Sequence, residues 1–463
     1  MSDFEVYASP FSWRYGSVAM RRVWSEENKR LVWRQLWVAL AEVQAEFGLV
    51  SAAGLADIQA HAQDVDIAVA LALEAELHHD LMAELRVFAG QCAVGGGMLH
   101  LGATSMDIKD NADVLLIRQS LQLVLPKLEK LLQVLCQLIE RWADTPLIAF
   151  THLQPAEPST LGYRLAQYAQ DLFSDWEALV RLRESLRAKG IRGAVGTGAS
   201  FIELIGAENL AQFEAQLSAC LGVPFYPVVT QTYPRKQDYD VVGALAGLGA
   251  SIYKFAFDLR VLQSPPIGEL GEPFREKQVG SSAMPFKRNP VISEKIDSLG
   301  RYLAQLPRIA WDNAAHSLLE RTLDDSANRR TMLPEAFLVV DELLEATTRI
   351  CSGLRVDEGA LARNLEIYGA FAATERVLMA LAKAGADRQV MHEHLRAHSM
   401  RAWNATQAGQ DNPLVALICA DEVFKEYVGE ASLRELMDAG EYVGDAPARA
   451  RALSQNIRAM LPA

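Results

Sequence analysis

The sequence predicts an all-α protein built around long helices. Three observations carry that reading. Apolar residues recur at helical spacing through most of the chain, while strand alternation is scarce. Four stretches keep the helical period far beyond ordinary helix length. One of them, 236–263, is apolar nearly all round and therefore needs cover on every side.

The four stretches follow in order. Residues 111–145 place Val114, Leu115, Leu121, Val124, Leu128, Leu131, Leu132 and Leu135 on a helical repeat, with Pro126 inside predicting a kink. Residues 157–189 run from Glu157 through Leu165, Leu172 and Leu179 to Gly190, a C-terminal stop. In 236–263, Gly243, Ala246, Gly247 and Ala250 line one side, where another helix backbone can come close. The fourth stretch is 290–318. Several such helices point to a core shared between subunits, with a large self-contained monomer as the alternative.

The 463 residues suffice for about three domains. Half are hydrophobic and 22% charged, as in a soluble globular protein. A net charge of -13 argues against a nucleic-acid binder. The start, MSDFEVYASPFSWRYG, lacks the basic segment and apolar run of a signal peptide. Val241 to Tyr253, the longest uncharged apolar stretch, is too short to span a bilayer, so no membrane partner is expected. Cys92, Cys136, Cys220, Cys351 and Cys419 are scattered and lack CxxC spacing. They are expected to be reduced, buried and cytoplasmic.

The glycine patches at 95–97 and 193–198 match no dinucleotide or phosphate loop, and no GxSxG elbow occurs. His392, His394 and His398 share a predicted helix. Without a carboxylate or cysteine at ligand spacing they read as a solvated face, and no metal site is expected.

Four segments combine polar residues with loop-like breaks. They are His78-His79-Asp80, the run HLGATS (100–105) continuing to Asp107, Asp110 and Asn111, the run THLQP (151–155), and GSSAMPFKRNP (280–290). Each has a bland reading. A lone histidine before a helix is often structural. Asp110-Asn111 can cap a helix, and Thr104 and Ser105 can serve a turn. Together they lie near ends of long helices, which a bundle brings together. Hydroxyls, imidazoles, a lysine and arginines suit acid–base chemistry on an anionic substrate, with no cofactor.

GSSAMPFKRNP resembles the signature of the fumarase/aspartase superfamily, whose members release fumarate. RYGS (14–17), HDLMA (79–83), HLGATS, FTHLQPA (150–156), QTYPRK (231–236) and ERTLDDSANRR (320–330) resemble the adenylosuccinate lyase family within it, notably its animal form. The matches run in order from about residue 10 to about residue 390. The resemblance implies a central long-helix bundle at 105–356 between smaller helical domains at 1–104 and 357–463. Bundles would join in a homotetramer whose sites are shared between subunits. It implies fumarate elimination from adenylosuccinate and from succinylaminoimidazole carboxamide ribotide.

By resemblance Ser281 is the general base and Lys287 supports the charge that builds on the substrate carboxylate. His152 is the acid, Glu294 pairs with it, and His79 contacts substrate. Arg14, Tyr15, Arg321, Ser326 and Arg330 match nucleotide-phosphate and ribose contacts. Thr104, Ser105, Thr151, Gln231, Lys287 and Asn289 match positions around the succinyl group. Lys295 stands in a binding position where the animal form has Arg, which turns a bidentate contact into a point charge. His78, Phe286 and the pair Leu318-Leu319 also depart from the family pattern. The sequence leaves an argininosuccinate lyase-like enzyme and a catalytically silent helical assembly protein as alternatives.

Overall fold

The computed structural model describes residues 5–274, 277–278 and 280–462. The main helices are α1 (Glu26–Glu46), α2 (Asp80–Gln91), α3 (Ser105–Arg141), α4 (Leu161–Ser185), α5 (Lys236–Leu262), α6 (Val291–Leu303), α7 (Leu306–Ala315), α8 (Asp324–Ser352), α9 (Glu358–Lys383) and α10 (Arg388–Gln407). A hairpin, β1 (Pro146–Thr151) and β2 (Gln154–Thr160), joins α3 to α4. The all-α expectation holds apart from this hairpin and one short strand pair, Leu270–Gly271 with Arg355–Val356.

Several elements differ from the sequence reading. α3 starts at Ser105, ahead of the predicted stretch, and continues past Pro126 without a break, as the sequence implies. Asp110 and Asn111 are therefore not caps; they lie inside the helix with no exposed surface. Residues 157–160 belong to β2, so α4 begins only at Leu161. The stretch 290–318 is two helices, because Pro307 at the start of α7 cannot continue α6. Cys220 is exposed, while the other four cysteines are buried.

The chain packs into two compact units, each drawn from three stretches. One comprises residues 1–128, 175–252 and 298–345; the other comprises 129–174, 253–297 and 346–463. In the first unit α1 buries Trp33, Leu36, Trp37 and Leu40, and α3 buries Val114, Leu115, Leu121 and Val124. Several charged side chains in that core are paired, as burial demands. Lys189 bonds Asp107, and Arg235 bonds both Asp110 and Asp325.

α5 was expected to be covered on every side, but within the chain it is covered on one. Val241, Val242, Leu245 and Leu248 are fully buried. Gly247 and Ala250 on the small-residue side are exposed. A side chain at Gly243 would meet nothing within 4 Å, and one at Gly247 only the Asp175 carboxylate at 3.7 Å.

In the second unit α9 packs against both strands of the hairpin. A separate core joins Val377 and Leu381 of α9 to Met391 and Leu395 of α10, with Ile418 and Phe424. His394 and His398 are not a solvated face. Their Nδ1 and Nε2 lie 3.2 and 2.7 Å from one Asp421 oxygen.

Candidate active site

In the first unit, RYGS is fastened to α8. The N–H of Gly16 donates to Glu342 at 3.1 Å and that of Ser17 to Asp341 at 2.6 Å. Lys127 completes the cluster on Asp341 and Glu345. Gly16 has φ 78°, and a Cβ there would come within 2.7 Å of Leu338, so the close approach needs glycine. Arg14 is thereby held exposed beside Tyr15, its guanidinium 5.9 Å from that ring. The same helix α8 carries Ser326 and Arg330.

His79 ends the turn before α2 and caps it, its Nδ1 accepting the Met82 N–H at 3.4 Å. Its Nε2 lies 3.2 Å from the Ser105 hydroxyl at the start of α3. Thr104, one residue earlier, donates its N–H to Asp107 at 2.8 Å. Asp80 is buried and takes Lys109 at 2.8 Å and Arg330 at 2.9 Å. Burial pushes its carboxyl up, but Lys109 and Arg330 outweigh that and bring it down to about 2. Asp80, Lys109, Arg321, Ser326 and Arg330 line one cavity of about 160 Å³, walled by Trp24 and Trp33. Three of the expected nucleotide contacts thus meet in one cavity, beside the carboxylate that follows His79.

A buried charge lattice supports this end of the unit. Arg235 forms a fork on Asp110 at 3.0 and 3.1 Å, and its Nε donates to Asp325 at 2.6 Å. Asp325 also holds Arg321, four residues earlier and just before α8, at 2.8 Å. Arg329 bonds Asp238 at 2.7 Å and the Tyr233 hydroxyl at 2.8 Å. Gln231 is tied to the same region, its N–H donating to the Glu320 carbonyl at 3.1 Å.

His100 adds a group that the sequence reading left without a role. Its Nδ1 accepts the Trp37 indole N–H at 3.0 Å, so the neutral ring carries its proton on Nε2. Burial, reinforced by the charge of His79, pushes it down to about 4.

In the second unit the hairpin tip carries Thr151 and His152, both exposed. His152 and Leu153 form the two-residue turn between β1 and β2, with φ of 54° and 58°. Paired positive φ is the geometry of a tight hairpin turn that Asn-Gly usually serves. Here it holds an imidazole at the outermost point of the hairpin.

The loop after α5 closes on itself. Asn289 donates its amide to the Gly280 carbonyl at 3.0 Å. A Cβ on Gly280 would lie 2.1 Å from the Lys287 carbonyl oxygen, so only glycine closes the ring. Inside it the Ser281 hydroxyl oxygen accepts N–H bonds from Met284 at 3.1 Å and Ala283 at 3.3 Å. Lys287 is exposed, and Lys295 lies half-buried on α6. Glu294 is 4.0 Å from the Arg260 guanidinium. Among the described residues no ion pair joins Glu294 to His152 within the chain.

Backbone strain independently marks these segments. The described non-glycine residues with positive φ are His78, His100, His152, Leu153 and Leu319. All lie in or directly before the quoted motifs, and such strain concentrates at functional sites. Asp80, His100, Arg235, Asp325 and Arg329 stood inside those motifs without being assigned. For the last two the available signal was the four-residue spacing of Asp325 and Arg329, which puts opposite charges on one face of a helix.

Residues 3–302 match the family described as lyase, and residues 370–453 match the family described as adenylosuccinate lyase C-terminus. The adenylosuccinate lyase of Schistosoma mansoni is 40% identical, covering 87% of this chain and 85% of its own. That of Saccharomyces cerevisiae is 37% identical over 96% of this chain and 94% of its own. That of Pyrococcus abyssi is 34% identical over 97% and 96%. Among solved structures, a fumarate lyase from Mesorhizobium aligns with a TM-score of 0.85 at 25% identity, covering 97% of this chain and 99% of the other. A 3-carboxy-cis,cis-muconate lactonizing enzyme from Pseudomonas putida aligns at 0.84 and 26%, with the same coverage.

Proposed function

The chain belongs to the adenylosuccinate lyase family, and from that we propose that it eliminates fumarate from adenylosuccinate to leave AMP. The same chemistry converts succinylaminoimidazole carboxamide ribotide to AICAR in purine nucleotide biosynthesis. The observation that carries the proposal is the Ser281 hydroxyl oxygen held by two backbone N–H groups. An ordinary serine is a poor base. Donors aimed at the oxygen favour its alkoxide, which is the form that can take a proton.

Ser281 removes a Cβ proton of the succinyl group. The electron pair passes into the neighbouring carboxylate, where Lys287 and loop N–H groups stabilise the charge. It then forms the C=C bond as the C–N bond breaks. His152 delivers a proton to the departing nitrogen, and fumarate and the amine are released. Arg321, Ser326 and Arg330, with Arg14 and Tyr15, hold the phosphate and ribose, since guanidinium forks suit phosphate. The succinyl carboxylates fall to Thr104, Ser105, Thr151, Gln231, Asn289 and Lys295. His79 contacts the substrate beside them.

The working form is a homotetramer with shared sites. Three features support this. The small-residue side of α5 is uncovered within the chain. His152 and Lys287 stand exposed, whereas the chemistry needs water excluded. Glu294 and His152 do not pair within one chain, so their pairing falls to neighbouring subunits. The test is to supply purified protein with adenylosuccinate, without added metal or cofactor, and follow AMP and fumarate. Turnover supports the proposal; no turnover alongside cleavage of argininosuccinate overturns it.

A further inference from the structure

Glu272 precedes Ser281 and Lys287 in the chain, and α6 follows them. Glu272 follows the strand pair Leu270–Gly271 with Arg355–Val356, which fixes the entering stem. Its side chain is 6% exposed. One carboxylate oxygen accepts the Ile292 N–H at 3.1 Å and the other the Ser293 N–H at 2.5 Å. Those are first-turn amides of α6, which lack helical partners and carry the positive end of the helix dipole. Gln263 bridges the same two stems. Its carbonyl oxygen accepts the Glu272 N–H at 2.8 Å, and its amide donates to the Arg288 carbonyl at 2.9 Å.

We infer that Glu272, with Gln263, is a positioning residue for the elimination: one buried carboxylate clamps the entering stem of the Ser281 loop to the helix that presents Glu294 and Lys295. This inference rests on the reading of that loop as catalytic. Three of the four bonds join a residue before the loop to one at its end or just beyond it, and the fourth ties Gln263 to Glu272 on the entering side. Ser281 and Lys287 are thereby held in register with Glu294 and Lys295. Reacting groups a small distance out of place lose orders of magnitude in rate.

The test combines hydrogen exchange by mass spectrometry with steady-state kinetics on adenylosuccinate, using the full chain and Glu272→Gln. A neutral amide accepts through one oxygen only, so one α6 amide is released. Peptides within 280–296 are expected to exchange about tenfold faster or more, while peptides of α9 stay unchanged. The kcat is expected to fall about tenfold to a hundredfold, with KM nearly constant. Gln263→Ala leaves the carboxylate in place and gives the same pattern more weakly; it also serves where Glu272→Gln does not fold. Wild-type exchange over 280–296 in the variants overturns the clamp. Faster exchange with wild-type kcat overturns its role in the reaction. A wild-type chain inert on adenylosuccinate sinks the lyase reading instead, and exchange still decides the clamp.

Discussion

Arg330 and Asp80, 250 residues apart in sequence, meet at 2.9 Å. The contact joins the helix assigned to the nucleotide phosphate to the residue directly after His79. Lys109 on the same carboxylate, at 2.8 Å, leaves Asp80 nearly fixed. Asp80→Asn weakens the hold on Arg330. The expected result is a KM for adenylosuccinate raised about tenfold, the equivalent of 1.4 kcal/mol, with a smaller effect on kcat. Steady-state kinetics and inhibition by inorganic phosphate check this, and an unchanged KM with unchanged phosphate inhibition counts against it.

The Trp37–His100 pair gives a pH dependence. Burial holds His100 near 4 in the folded chain, against about 6.5 unfolded. The unfolded chain therefore binds more protons between those values. Stability is complete above pH 6.5 and is lost as pH falls toward 4, by about 3 kcal/mol from this group. His100→Gln removes that share of the slope. Chemical denaturation of both proteins from pH 7.5 to 4.5 checks it; identical slopes contradict it.

Arg235 is clamped between Asp110 and Asp325 in the interior, while Arg308 pairs with Asp312 at the surface. Removing one partner of a buried pair leaves an uncompensated charge. Arg235→Ala is expected to cost about 3–5 kcal/mol. Arg308→Ala, which removes a solvent-screened surface pair, is expected to leave stability nearly unchanged. Thermal melts of the two variants distinguish them, and equal small shifts would show the lattice contributes little.

Gly243 has open space around its Cβ position within the chain. Gly243→Leu is expected to leave the subunit folded yet block close helix approach between subunits. Sedimentation velocity should show species smaller than the wild-type assembly, with activity lost in parallel. An unchanged sedimentation coefficient argues against this face as an interface.

Much of this arrangement was legible in the sequence, and the rest has identifiable physical reasons for being hidden. Long helices announce themselves by period, and GSSAMPFKRNP by residue order. The hairpin stayed hidden because Pro155 and Pro158 argue against a strand, and because His-Leu occupies a turn where Asn-Gly is the usual signal. The break between α6 and α7 was masked by Leu303 and Leu306, which keep apolar positions going across it. Asp421 lies 23 residues beyond His398, so only folding reveals their contact. Arg235 is far in sequence from Asp325, and Arg329 from Asp238, so only tertiary packing brings each pair together. The proposed pairing of Glu294 with His152 is not made within this chain, where Glu294 faces Arg260.

The most direct measurement is the turnover of adenylosuccinate by Ser281→Ala, with assembly verified on the same sample. Its hydroxyl is the proposed base, and a positioned base contributes about 10²- to 10⁴-fold. The expected result is a tetramer that binds adenylosuccinate and releases fumarate at least a hundredfold more slowly than the wild type. Wild-type turnover by Ser281→Ala would contradict the assignment of the base.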